Sequence, residues 1–210
     1  ILLSVTSFVR NSAVTQNNEK SRERFLDDTS RLQARILLRL QSYQNAIEGA
    51  RGLFNASEAV SKDGWKAYVD SLHLEENYAG LPILAFAPVF LSDDTSEFSE
   101  LVKESGYENS PIHPTNTGNP IVAPILYVEP FSPNAASVIG FDIFSEPVRA
   151  DAIAKAYNSG TAAMTGKITL ISDASKRNEF GVLIYVAVYK KNVPLETSQQ
   201  KKEALQGLIF

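Results

Sequence analysis

The residues that could do chemistry are few, and each has to be weighed against an ordinary structural use. Asp142 sits inside the apolar run SVIGFDIF, just ahead of Ser145-Glu146-Pro147. No nucleophile, base or metal ligand accompanies it, so catalysis by a positioned acid has no partner group to work with. Two uses stay open for it: holding the turn around Ser145, or contacting a ligand. His73 with Glu75 and Glu76 resembles a metal cluster, but the spacing matches no helical two-ligand pattern, and the chain has one other histidine, His113. The run GTAAMTGK, from Gly160 to Lys167, has five residues between its glycines where a phosphate loop has four, and Ile168 stands where such a loop needs Ser or Thr.

Ser198 to Lys201 spells SxxK, a nucleophile pattern that here lies in a charged tail with no strand ahead of it. Asp93, Asp94 and Glu97 fall where a helix should begin, where negative charge complements the helix dipole. What stands out instead is apolar and aromatic density on strand-like runs, with single polar groups among them. Asp142 in GFDIF and Thr165 in AMTGKI are the clearest, and this mixture is the usual make-up of a small-molecule site.

The elements that must position these residues follow from periodicity. Between Asn17 and Phe54 the chain has no proline, and Phe25, Leu32, Ile36, Tyr43, Ile47, Ala50 and Phe54 keep one helical face apolar. This predicts one long helix. Leu37, Leu38 and Leu40 widen the face beyond a two-position seam, which favours a spine under a sheet over a coiled coil. Ser61 caps a short second helix with Trp65, Tyr68, Val69 and Leu72 on one face. ILAFAPVF reads as a strand, and a helix with Phe98, Leu101 and Val102 follows. Tyr107 to Pro120 reads as a loop, IVAPILYVEPF as a strand interrupted at Pro124, and SVIGFDIF as another strand. A helix with Ser145 as its N-cap and Pro147 in its first turn, ending near Gly160, comes next, then MTGKITLIS and FGVLIYVAVYK as an antiparallel hairpin around the loop Asp173 to Glu179. From Leu195 the reading is a short polar helix heading away. The predicted fold class is α+β, with antiparallel sheets.

Composition agrees with a folded domain: 44% apolar, 21% charged, and a formal charge of −4. No basic stripe marks a nucleic-acid partner, and without cysteine there is no disulfide or thiolate chemistry. Nothing in the sequence calls for a cofactor or a metal. No segment approaches the roughly 20 apolar residues that span a bilayer. The apolar opening ILLSVTSFV is nonetheless compatible with the end of a longer apolar segment upstream.

Taken in order, the long helix, GWKAYVDSLHLEENYAGLPILAFAPVF, PILYVEPF, GFDIFSEPVRADAIAKAYNSG, AMTGKITLI and GVLIYVAVYK resemble the CHASE domain, over almost the whole chain. The GFD-S-E-P-R element is the most specific part. The resemblance implies an extracytoplasmic, periplasmic sensor of a histidine kinase or diguanylate cyclase, flanked in its parent by transmembrane helices, while the extended apolar face from Phe25 to Phe54 supports a homodimer through the long helix. It implies a stalk helix over 1–60, a membrane-distal PAS-like subdomain over 61–145 completed by strands near 164–172, and a membrane-proximal PAS-like part with a C-terminal helix over 146–210. An unidentified small molecule is the implied ligand. Pro120 stands where the plant members carry the Asp that recognises an adenine-like ring, which argues against that ligand class. Thr165 matches a threonine on a strand lining the family pocket. Phe86, Tyr107, Ile112, Ala123, Ile125, Tyr127, Gly140 and Asp142 complete the expected pocket set. The alternative reading is a dimerisation or periplasmic interaction domain.

Overall fold

The computed structural model describes residues 2–107, 110–115, 118–170 and 180–210, and within these the side chains from residue 17 onward except at 133 and 134. The predicted loop from Asp173 to Glu179 lies outside the described residues. Contacts divide the chain into two compact units, residues 1–42 and 43–210.

The first unit is helix alone. Helix α1 runs Leu2–Ala56, so the expected long helix is present and longer than its sequence pattern. In this unit Phe25, Leu32 and Ile36 are 69%, 60% and 51% exposed, and Leu26, Leu37 and Leu38 are exposed as well. These six side chains are exposed, so the buried spine face expected from the sequence is not observed at them.

In the second unit the same helix does act as a spine. Ala46, Ile47, Ala50 and Phe54 are buried, on the i, i+4 spacing that makes one stripe. Helices α2 (Lys62–Leu72) and α3 (Leu74–Asn77) follow. Ser61 caps α2 by accepting from the Gly64 amide at 3.2 Å. Strand β1 (Leu84–Pro88) and the short β2 (Phe90–Leu91) come next, then α4 (Ser96–Glu104), β3 (Ile121–Val122), β4 (Tyr127–Glu129) and α5 (Pro133–Ala136). A 3-10 turn at Ile143–Ser145 leads into α6 (Pro147–Ser159). The remaining elements are β5 (Ala163–Met164), β6 (Ile168–Thr169), β7 (Phe180–Gly181), β8 (Ile184–Tyr189), α7 (Ser198–Ala204) and β9 (Leu205–Ile209).

Five strands form the main antiparallel sheet in the order β4-β1-β9-β8-β5, and β2-β3 and β6-β7 are two-stranded ribbons. The fold class is α+β as expected. The main sheet takes β1 and β4 from residues 61–145 and β5, β8 and β9 from residues 146–210, so one sheet joins both stretches. Side-chain alternation gives it two apolar faces. Leu84 and Phe86 join Ile47, Phe54 and Trp65 on the α1 and α2 side. Ala85 and Ala87 join Ile143, Ala152, Ile153 and Ala156 on the α6 side.

Two expectations are corrected. SVIGFDIF is not a strand: it makes isolated bridges at Phe141 and Asp142 and then coils into the 3-10 turn. The cause is local, because the Asp142 carboxylate accepts from the Phe144 amide at 3.1 Å and turns the chain, and Gly140 before it has φ +85°. The C-terminal segment does not head away. After α7, Leu205 to Ile209 enter the middle of the sheet between β1 and β8, pairing Phe86 with Ile209 and Ala187 with Leu208. Gly207 permits this, since a Cβ there would lie 2.5 Å from the Phe86 ring.

Candidate ligand site

The α1 side of the sheet carries a cavity of about 630 Å³. Phe86 from β1 and Tyr127 from β4 form its floor, Phe54 from α1 and Leu101 from α4 its sides, and Val60 and Phe90 contribute further apolar surface. The rings are packed together: Phe54 to Phe86 is 4.2 Å between centroids, Phe86 to Tyr127 is 5.9 Å, and Trp65 lies 6.5 Å behind Tyr127. The Tyr127 hydroxyl donates to the Val60 carbonyl at 3.1 Å, which fixes the ring. Burial pushes that hydroxyl's pKa above its ordinary value. The rim is charged on both signs, with Glu58 and Glu97 against Lys190 and Lys191, and Gln206 supplies an amide. Lys191 is held by donating to the Ser57 carbonyl at 2.7 Å. The size and the mixture of an aromatic floor with a few polar groups suit a small organic molecule.

Of the nine residues expected to line one pocket, Phe86 and Tyr127 meet here. Ile112 lies in a separate surface cleft with Pro120 and Val122. Ala123 and Ile125 belong to the core on the opposite, α6 side of the sheet. Tyr107 packs at the edge of both cores, with the Lys62 ammonium 3.9 Å above its ring. Its hydroxyl is buried without a partner, and burial raises its pKa to about 12.

Gly140, Asp142 and Thr165 occupy backbone junctions. The Gly140 amide donates to the Ile125 carbonyl at 2.8 Å. Asp142 Oδ1 accepts from the amides of Ala123 at 2.8 Å and Phe144 at 3.1 Å, and the Ser145 hydroxyl donates to the Asp142 carbonyl at 2.6 Å. Asp142 is fully buried and its Oδ2 has no partner, and burial raises its pKa although both hydrogen bonds oppose the shift. Thr165 Oγ1 accepts from the Leu183 amide at 2.9 Å, while the Thr165 amide donates to the Leu183 carbonyl at 2.9 Å. Among the described residues no group of three or more potential metal ligands gathers. His73 is the left-handed cap between α2 and α3, and Ser198 opens α7 behind a Thr197–Gln200 capping box.

Sequence reasoning missed Phe54, Leu101 and Gln206. Phe54 was legible as the last residue of the helical stripe, but which sheet residue it would meet was not. Gln206 was hidden because LQGLI is too short and too broken by Gly207 to announce a central strand.

Residues 43–210 therefore combine an antiparallel sheet, packed helices and an aromatic cavity lined by Phe54, Phe86 and Tyr127. The family model of the CHASE domain matches residues 58–210, more than half of the chain, and the chain belongs to that family, whose members are extracellular sensory domains of membrane receptors. The match begins just past the end of α1 and takes in every strand of the main sheet. No curated protein matches the chain. Among the described residues no helix is long and apolar enough to cross a membrane.

Proposed function

We propose that this chain is the ligand-binding part of a transmembrane receptor, held on the periplasmic side, and that occupancy of the Phe86–Tyr127 cavity is relayed through α1 to a cytoplasmic output domain of diguanylate cyclase or histidine kinase type. One observation carries this reading: the cavity wall facing the sheet is α1 itself, through Phe54, whose ring lies tilted with its centroid 4.2 Å from that of Phe86. A ligand that wedges or tightens that contact has differential affinity for two positions of the helix, which is what a population shift requires. The test is a thermal-shift screen of small molecules on the chain, followed by Leu101→Ala and Gln206→Leu on any hit. A ligand at 100 times its Kd should add about 2.7 kcal/mol of stability. Hits whose binding ignores both substitutions, or no hit from a broad library, would count against the reading.

We further propose that the chain forms a homodimer through α1. Support comes from Phe25, Leu32 and Ile36, three exposed apolar side chains repeating at seven and four residues along the first part of α1. Dimerisation and ligand binding are compatible.

A further inference from the structure

A second cleft, of about 540 Å³, opens where the end of α1 meets the C-terminal end of α6 and the β8–α7 turn. Four of its lining residues are basic, Arg51, Lys190, Lys191 and Lys201, and none is acidic, in a chain with a formal charge of −4. They come from three elements and are steered to one place by backbone carbonyls. Arg51 Nη1 donates to the Gly160 carbonyl at 3.0 Å, Lys201 Nζ to Asn158 at 2.7 Å, and Lys191 Nζ to Ser57 at 2.7 Å. Gly160 is the left-handed cap of α6, and a Cβ on it would meet Lys201 Nζ at 3.9 Å and the Tyr189 hydroxyl at 4.0 Å.

The negative end of a helix dipole amounts to about half a charge and accounts for one or two cations, not four. Glu48 pairs with Arg51 and offsets one more. A guanidinium has five N–H donors and an ammonium three, so each head keeps donors to spare after its carbonyl contact. The Lys190 backbone amide donates to the Ala204 carbonyl at 2.7 Å, but its ammonium makes no hydrogen bond or ion pair in the described structure, although the residue borders the cleft. Positive charge and unused donors converge on a space of ligand size.

We propose that this cleft binds a small oxyanion carrying two or more negative charges, of the phosphate or pyrophosphate type, which ties the end of α1 to α6 and α7. Lys190 and Lys191 also border the aromatic cavity, whereas Arg51 and Lys201 line this cleft and not that one, and the proposal does not depend on the reading given for the cavity.

Isothermal titration of the chain with inorganic pyrophosphate, at ionic strength matched with sodium chloride, tests the proposal. Saturable binding at one site is expected. Lys201→Gln and Lys190→Gln should each weaken it by about tenfold, the scale of one charged hydrogen bond. Lys190→Gln disturbs no carbonyl contact, so it keeps the test readable if Lys201→Gln unfolds. Glu97→Gln, which borders the aromatic cavity alone, should leave binding unchanged. Heat no different from the matched chloride control overturns the proposal, as does binding that survives both lysine substitutions. Binding lost with Lys190→Gln but kept with Lys201→Gln puts the anion at the rim of the aromatic cavity, which Lys190 also borders, and overturns it equally.

Discussion

Asp142 Oδ1 accepts the Ala123 amide at 2.8 Å, so one buried carboxylate ties the 3-10 turn before α6 to the chain just after β3. The same oxygen also caps Phe144. Removing it in Asp142→Ala strands two buried amides and should cost about 2 kcal/mol or more. Asp142→Asn keeps an acceptor and separates the charge from the shape. Because burial raises the folded-state pKa of Asp142, the associated stability is complete below the ordinary value near about 3.9 and is lost as pH rises through the higher folded value. Urea midpoints between pH 4 and pH 7 should therefore fall with pH more steeply for the native chain than for Asp142→Asn. Parallel profiles would show that Asp142 does not titrate in this window.

Gly140 is held at φ +85° with its Cβ position 2.3 Å from the Pro111 carbonyl oxygen. Left-handed backbone alone costs an alanine roughly 1–2 kcal/mol, and the close carbonyl is backbone that cannot swing away. Gly140→Ala is expected to lower stability by more than about 2 kcal/mol in denaturant titration. A change under half of that would mean the turn relaxes freely.

Phe54 and Phe86 set the aromatic cavity against α1. Phe54→Ala should destabilise the domain by about 3 kcal/mol, at the low end for a buried phenylalanine because one side of the ring already faces open space. It should also weaken any ligand of the cavity. Chemical denaturation and a binding isotherm on the same variant check both, and intact affinity would remove Phe54 from the site.

On α1, Leu32→Glu and Ile36→Glu replace side chains that are 60% and 51% exposed. If these residues form a seam between two copies, light scattering after gel filtration should report a folded monomer, with the stability of residues 43–210 unchanged within about 0.5 kcal/mol. A dimer that survives both charges places the interface elsewhere.

The pattern of agreement and error has a physical basis. The long helix, the Ser61 cap and Pro147 in the first turn of α6 were legible because each depends on neighbours three or four residues away. Glu146, accepting from the Val148 and Arg149 amides, nonetheless caps α6 in place of the expected Ser145, which ends the 3-10 turn. The errors came where a side chain overrode its surroundings. SVIGFDIF has strand composition, yet the Asp142 carboxylate turns it. LQGLI lacks strand length, yet Gly207 lets it lie under Phe86 and complete the sheet.

The candidate site divides the same way. Aromatic and apolar residue types marked Phe86, Tyr127, Ala123 and Ile125 as interior, and local sequence suffices for that because burial follows from hydrophobicity. Which side of the sheet each would face was decided by register between strands far apart in the chain. Pairing of Phe86 with Tyr127 sends both to the α1 cavity, while Ala123 and Ile125, which lie outside the strands, are drawn to the α6 core by their backbone bonds to Asp142 and Phe141. By itself the sequence determined the family, the fold class and the helical spine from Tyr43 to Phe54. Tertiary structure alone decided that Arg51, Lys190, Lys191 and Lys201 share one cleft, because residues separated by as many as 150 positions meet only once β9 has closed the sheet.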